Sequence, residues 1–462
     1  MIRLTSAERL ESAHGPRLQP LAASSAALRA EPSWVAAEPG TNLSTLRRAV
    51  FALVLAGVLY NTVLSFLNGH AMSVSYALVV VTEITILALA VVALLRSGLR
   101  PADSPALLLL GFFLVDACLV SLASGTLFVD MARSAAIITI FVMLGIRSEE
   151  ATIRRLVGIL AALVFVFLLL ESVSVQSYAD LLQPGLYFEQ TRGISRFELD
   201  EIGLFANALG FQDRFSILNI VGHRTSSLFL EQVSLANFAT VLTTFLVGMW
   251  RGTSVKARVA YALLIVFILV TNNSRTALAI ALMAPLVYWL APKLSRLIPL
   301  ALMPTVLTAA FVVAATAPPS SGDDLVGRLG LTVRTLKALD LTSLLGASAP
   351  GSADFADSGY TYVIYASSII GLIVLWLFFS LILAGERADQ KRTGMMISLY
   401  LFLNLTVSGT SVFSIKTAAV LWLLVGFLLR RGAEEPSTAV QNEVVDLRPL
   451  PPGPRSAAQG LR

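Results

Sequence analysis

The chain alternates apolar blocks, several close to the roughly 20 residues that cross a bilayer core, with short connectors carrying Arg and Lys. That alternation constrains the fold more than any other feature, and it predicts an all-α, polytopic membrane helix bundle. Composition agrees: 56% of residues are hydrophobic and only 14% charged, where a soluble domain carries about a quarter charged. Soluble enzymes, nucleic-acid modules and secreted disulfide scaffolds are excluded as leading readings. The single cysteine, Cys118, lies inside an apolar block and has no intrachain partner. The formal charge of +5 does not point to nucleic acid, because the basic residues lie mostly between apolar blocks, the cytoplasmic signature of a membrane protein.

Residues 1–44 and 432–462 are expected to be disordered cytoplasmic tails around a transmembrane domain over 45–431. About twelve spans are predicted within it, over Ala49–Leu67, Ser75–Leu95, Pro105–Leu122, Leu127–Ile146, Leu156–Val173, Ser227–Trp250, Val259–Thr271, Thr276–Leu290, Leu297–Ala317, Thr361–Ala384, Gly394–Val412 and Thr417–Leu429. Every short basic loop then falls on one side. The positive-inside rule makes that side cytoplasmic, with both termini there. Two longer polar stretches, about 174–226 and 318–360, fall on the outer face. Each contains an amphipathic pattern at helical spacing. Ser195–Phe211 places Phe197, Ile202, Phe205 and Leu209 together, and Asp323–Leu339 places Leu325, Leu329, Val333 and Leu336 together. Such stripes are read chiefly as packing surfaces.

The informative charges break the positive-inside rule or sit within hydrocarbon. Arg192, Arg196, Arg214, Arg224, Arg275, Arg328 and Arg334 fall on the outer side. Arg275 lies in the tight turn Asn272-Asn273-Ser274-Arg275, and Arg224 lies beside His223 just before the sixth span. Guanidinium is always charged and its planar fork matches phosphate oxygens, so Arg224, Arg275 and Arg328 are the candidate diphosphate-binding residues. Within spans lie Glu83, Asp116, Asp130, Arg133, Glu171 and Glu231, costly positions that face a bundle interior or an aqueous cavity. Asp130 and Arg133 are spaced to neutralise each other, and Glu231 is spaced to hold Arg224. For general-base chemistry the outer face offers His70, His223, Asp354 and Asp357; Asp357, at the mouth of the tenth span, and His223 are the catalytic candidates. The sequence has no His-x-x-x-His, Cys pair, P-loop or GxGxxG, so no metal or nucleotide cofactor is expected.

At these residues the chain resembles a known family. His223-Arg224-Thr225-Ser226-Ser227-Leu228-Phe229 is similar to the "R-x-x-G-x-F" element of the O-antigen ligase/Wzy polysaccharide polymerase family. Asn273-Ser274-Arg275-Thr276-Ala277-Leu278 resembles that family's "S-x-S-R-x-x" turn between two short helices. Arg328, Leu345-Gly346, Asp357-Ser358-Gly359-Tyr360 and Ile370-Gly371-Leu372 follow the order of the family's second periplasmic loop. The resemblance covers about Leu218–Leu383. Ser227 stands where the family more commonly has Gly, and Glu231 where a small or Asn-Pro element is commoner. Ligases typically carry a His-Asn pair where this chain has Asp357-Ser358, which moves the resemblance toward the polymerases.

The resemblance implies a metal-independent membrane glycosyltransferase of GT-C type in a bacterial inner membrane. It would take glycan from an undecaprenyl-diphosphate carrier at the periplasmic face, with a chain-length regulator as a further partner. A ligase-type glycan transferase is the alternative within the enzyme class; a secondary transporter or lipid-sugar flippase is the alternative outside it.

Overall fold

The computed structural model describes residues 43–193, 203–204, 221–318, 325–355, 357–408 and 411–434. Among them every regular element is helical and there is no strand. In chain order the helices are α1 (Leu43–His70), α2 (Tyr76–Ser97), α3 (Ser104–Ser124), α4 (Asp130–Ile146), α5 (Glu150–Val173), α6 (Val175–Leu182), α7 (Pro184–Arg192), α8 (Gln232–Gly248), α9 (Val255–Asn272), α10 (Arg275–Leu290), α11 (Ile298–Thr316), α12 (Leu325–Lys337), α13 (Leu341–Leu344), α14 (Gly359–Ala366), α15 (Ile369–Leu381), α16 (Ala388–Asn404) and α17 (Ile415–Glu434). Helix begins at Leu43 and ends at Glu434, so it encroaches slightly on both expected tails; the rest of each tail lies outside the described residues.

Seven helices are long and apolar enough to cross a membrane, or eight if the bent pair α14 and α15 counts as one span. This is the pattern of a multi-pass membrane protein. Each of the twelve expected segments falls on a helix or on that bent pair, but they divide into two populations. Residues on α2, α3, α9, α10, α11 and α15 expose large apolar side chains such as Leu95, Leu108, Leu122, Leu263, Leu282, Val312 and Ile370. Patches of that kind are untenable in water and ordinary against lipid. By contrast α4, α8, α16 and α17 are buried nearly all round and form the interior of the bundle. They need not match the hydrocarbon thickness because neighbouring helices, not lipid, surround them.

Close approach of α4 and α17 rests on two glycines. A Cβ on Gly145 would overlap the carbonyl oxygen of Leu423, and one on Gly426 would overlap that of Val142. Small residues of this kind let membrane helices gain van der Waals contact where no hydrophobic force drives them together.

The basic connectors gather at one end. Arg47 pairs with Glu149, Arg154 with Glu150, Arg431 with Glu150 and Asp389, and Arg296 and Lys391 with Glu386. Arg147, expected to be a loop cation, is instead wholly buried in a two-pronged pair with Asp103, at 2.7 Å on each prong. This we call the basic end.

At the opposite end, the first polar stretch contains two helices that its sequence did not announce. Ser174 caps α6 by accepting from the Ser177 amide, Gln183 turns the chain with φ of 46°, and Pro184 starts α7, where a missing N–H costs nothing. The expected amphipathic segment 195–211 lies almost entirely outside the described residues. The second expected amphipathic segment appears as α12, with Val333 buried and Leu336 packed against the core.

Candidate functional site

The His223–Phe229 segment is held from two sides. On one, the carboxylate of Glu171, near the end of α5, accepts the Ser226 amide at 3.0 Å and the Ser227 amide at 2.6 Å. It also accepts the Ser226 hydroxyl at 3.3 Å. Tyr178 of α6 adds a hydrogen bond to the Ser227 carbonyl at 2.6 Å. A carboxylate in hydrocarbon is costly unless its oxygens are engaged, and backbone N–H groups engage them at this turn. The turn is sharp: Ser227 and Leu230 both have positive φ, 50° and 63°, a region that a side chain occupies only at a cost.

On the other side the segment is joined to the end of α9. The Thr225 amide donates to the Thr271 carbonyl, and the two threonine hydroxyls bond at 2.9 Å. Asn272 Nδ2 donates to the carbonyls of Thr225 and Gln232 at 2.6 and 2.8 Å. Arg224 Nε donates to the Asn272 carbonyl at 3.0 Å, and the residue is only 6% exposed. Asn273 then takes a left-handed conformation, and Ser274 caps α10 by accepting from the Ala277 amide. Arg275 is therefore the first residue of α10, three residues from the backbone that Arg224 grips. The two arginine-bearing motifs, far apart in sequence, share one corner of the bundle.

His223 sits at the same corner, with Nε2 3.3 Å from Glu171 Oε1. Arg328 on α12 pairs with Asp357 at 2.6 Å, so the expected diphosphate ligand and the expected base hold each other on the second loop. Asp357 remains 64% exposed at its side chain. Thr332 and Thr335 tie α12 to the Thr406 carbonyl, to Ser358 just before α14 and to Thr361 within it. The Leu345-Gly346 and Ile370-Gly371 motifs converge as well: a Cβ on either Gly346 or Gly371 would overlap Ser367, at the break between α14 and α15. His70 only approaches the Leu181 carbonyl at 3.0 Å, and Asp354 is exposed. Arg196 and Arg214 lie outside the described residues.

Two expectations about in-span charges need correcting. Glu231 does not hold Arg224; it pairs with Arg192 and, at 2.9 Å, with Lys416. Glu231, the residue before α8, faces α7 and the start of α17, whereas Arg224 turns toward α9. Arg133 pairs across the helix interface with Glu83, which also accepts the Tyr60 hydroxyl, so its neutralising partner comes from α2, and among the described residues it forms no ion pair with Asp130. Lys416, buried at 3% exposure, was not singled out by sequence. Its signal was available: like the outer arginines, it is a cation on the side where the charge rule expects none.

An apolar groove runs between α8, α9 and α10, with a volume of about 790 Å³. Asn273, Ser274 and Arg275 line one end of it, Leu269, Leu278 and Leu282 its length, and Trp250, Tyr288 and Trp289 the other end. Among the described residues no group of three or more His, Cys, Asp or Glu side chains comes together as a metal site would require. Comparison of the chain with protein families, with curated proteins and with solved structures finds no match.

Proposed function

We propose that this protein is a polysaccharide repeat-unit polymerase, transferring glycan from an undecaprenyl-diphosphate carrier to a lipid-linked repeat unit. On this reading the chain makes about twelve crossings, with both termini and the basic end cytoplasmic and the Arg224–Arg275 corner facing the periplasm of an inner membrane. The observation that carries the reading is the groove: an apolar channel of membrane-spanning helices with a guanidinium at one mouth. That shape and polarity suit a diphosphate bearing a long isoprenoid tail.

The chemistry follows from the leaving group. An acceptor hydroxyl attacks the anomeric carbon, the bond from that carbon to the phosphate oxygen breaks, and the carrier departs as an anion. Fixed arginines supply the charge stabilisation that this departure needs, a role that falls to Arg224 and Arg275. Asp357 orients the acceptor hydroxyl and takes its proton, with Arg328 fixing the carboxylate. Holding two reactants in place can lower such a barrier by about 7–11 kcal/mol at the extreme, so a weak base suffices. His223, beside Glu171, is the second base candidate. Metal independence and a chain-length regulator are implied by the resemblance alone; purified protein turning over in EDTA tests the former.

The decisive variant is Arg275→Lys, which keeps charge and loses the fork. Cells carrying it should make no long polymer while membrane levels of the protein stay normal. Wild-type polymer from that variant overturns the diphosphate role. Loss of a polymerase leaves single repeats on the lipid carrier, whereas loss of a ligase leaves finished polymer there. One observation favours a transporter instead: the chain bends by 119° at the break between α14 and α15, like the broken helices of carriers. Carriers repeat such a break in their other half, and among the described residues this is the one pair of its kind. Substrate uptake into vesicles without glycan transfer would favour that second reading.

A further inference from the structure

A second cavity, of about 400 Å³, lies at the basic end, far along α8 from the Arg224–Arg275 corner. Its walls come from the start of α5, the turn after α8 and the ends of α16 and α17. Five arginines line it against two carboxylates, Glu150 and Asp389. Both carboxylates are already engaged. Glu150 accepts Arg154 at 2.6 Å and Arg431 at 3.4 Å; Asp389 accepts Arg387 at 3.0 Å and Arg431 at 3.6 Å.

That leaves Arg392 and Arg251. Arg392 is only 7% exposed. Its Nε donates to the Tyr288 carbonyl at 2.9 Å, and its guanidinium lies 3.9 Å from the Tyr288 ring centroid. Neither Arg392 nor Arg251 has an ion-pair partner among the described residues. A buried cation is costly without a counter-charge, and the ring face offsets only part of that cost.

We infer that this cavity is a binding site for a phosphate-bearing anion. One carboxylate would leave most of the surplus positive charge uncompensated, whereas a phosphate or diphosphate brings two or more negative charges to planar forks that match its oxygens. The volume lies within the range of small-ligand sites, about 300–1,000 Å³. Occupancy neutralises the surplus and ties together the ends of α5, α8, α16 and α17. The ligand chemistry has two sources, a soluble phosphate or an anionic phospholipid headgroup reached from the adjacent leaflet. This inference does not rest on the polymerase reading.

The test uses the full chain in nanodiscs of phosphatidylcholine, with thermal unfolding followed by intrinsic fluorescence. Inorganic pyrophosphate is added in one arm, and phosphatidylglycerol replaces part of the lipid in the other. A rise in midpoint with pyrophosphate identifies a soluble phosphate, and a rise with phosphatidylglycerol alone identifies the headgroup; either supports the site. Arg251→Gln, at an exposed position, and Arg392→Lys, which keeps the buried charge, should each weaken binding about tenfold, the scale of one lost two-pronged contact. Arg275→Gln serves as the background that removes the other end from the measurement. A shift that survives Arg275→Gln and falls in Arg251→Gln and Arg392→Lys is the expected result. The proposal is overturned if neither ligand raises the midpoint, if both cavity variants keep the full shift, or if Arg275→Gln abolishes it. None of these outcomes depends on polymer formation.

Discussion

Ser227 is the position where backbone geometry and side-chain chemistry can be separated most cleanly. Its φ of 50° is left-handed, which costs a residue with a Cβ roughly 1–2 kcal/mol. Its hydroxyl donates to the Val164 carbonyl at 2.9 Å, a contact of about 1 kcal/mol. Ser227→Gly relieves the conformational cost, loses the hydrogen bond and adds about 0.5–1 kcal/mol of unfolded-state entropy, so the three effects nearly cancel. Ser227→Ala loses the hydrogen bond and keeps the strain, for a net loss of about 1 kcal/mol. Ser227→Val adds a branched side chain in the least tolerant region of backbone space and should be the worst. The expected order of stability is therefore Gly close to wild type, then Ala, then Val, with Gly above Ala by about 0.5–1 kcal/mol. Parallel thermal melts of the purified variants in one detergent read the order directly. Alanine equal to or better than glycine would refute the argument, because glycine has no advantage over alanine except where φ is positive.

Three further outcomes follow from the same kind of reasoning. Glu171→Gln replaces a carboxylate that accepts two backbone amides by a group presenting its own N–H donors, and should destabilise by about 2–4 kcal/mol; activity should fall with it, and activity that returns in full once a stabilising second substitution restores the melt would show that the turn serves only the fold. In the Arg192–Glu231–Lys416 group, Glu231→Gln leaves a buried lysine unpaired and should cost about 3–5 kcal/mol, whereas Lys416→Met should cost less because Arg192 still faces Glu231. The double variant should recover part of the Glu231→Gln loss, and simple additivity in the double-mutant cycle would count against a buried pair. Gly426→Ala drives a Cβ into the backbone of α4 and should destabilise by about 1–3 kcal/mol; an unchanged melt would mean that α4 and α17 can separate freely.

The outer helices were legible in sequence because lipid imposes length and apolarity on whatever touches it. The span at Ser75–Leu95 reads correctly as α2 for that reason, and so do α3, α5 and α11. The inner helices obey different rules. The interior helices α4, α8 and α16 each have 17 residues, and α8 carries Asn237 to bond Asn404 of α16 at 2.7 Å. An interior helix is solvated by other helices, so it can be shorter than the bilayer and can hold polar groups that a lipid-facing one cannot. The pair α6 and α7 was hidden for the opposite reason. Eight and nine residues are too few for periodicity to separate from a polar loop, and their helicity depends on packing against α1 and α5 that no local pattern encodes.

At the candidate site, what the sequence carried was identity, and what it lacked was direction. Arg224 and Arg275 stood out because they break a charge rule, and the fold does set them in one corner. Their proximity depends on Asn272, which sequence marks only as a turn residue and whose side chain bridges Thr225 and Gln232. Amides give no charge signal, so no reading of composition would have found it. Glu231 shows the converse. Seven residues, two helical turns, separate it from Arg224, further than the three or four at which helix side chains are neighbours, and α8 begins only at Gln232, with the left-handed Leu230 turning the preceding chain away. A spacing argument holds only while both residues share one helix. Ser227 joins the two lessons: it takes a left-handed turn conformation despite its side chain, and Glu171 holds it there through its amide. The turn is thus held by a neighbour more than fifty residues away, in a helix that hydropathy alone marks only as a membrane span.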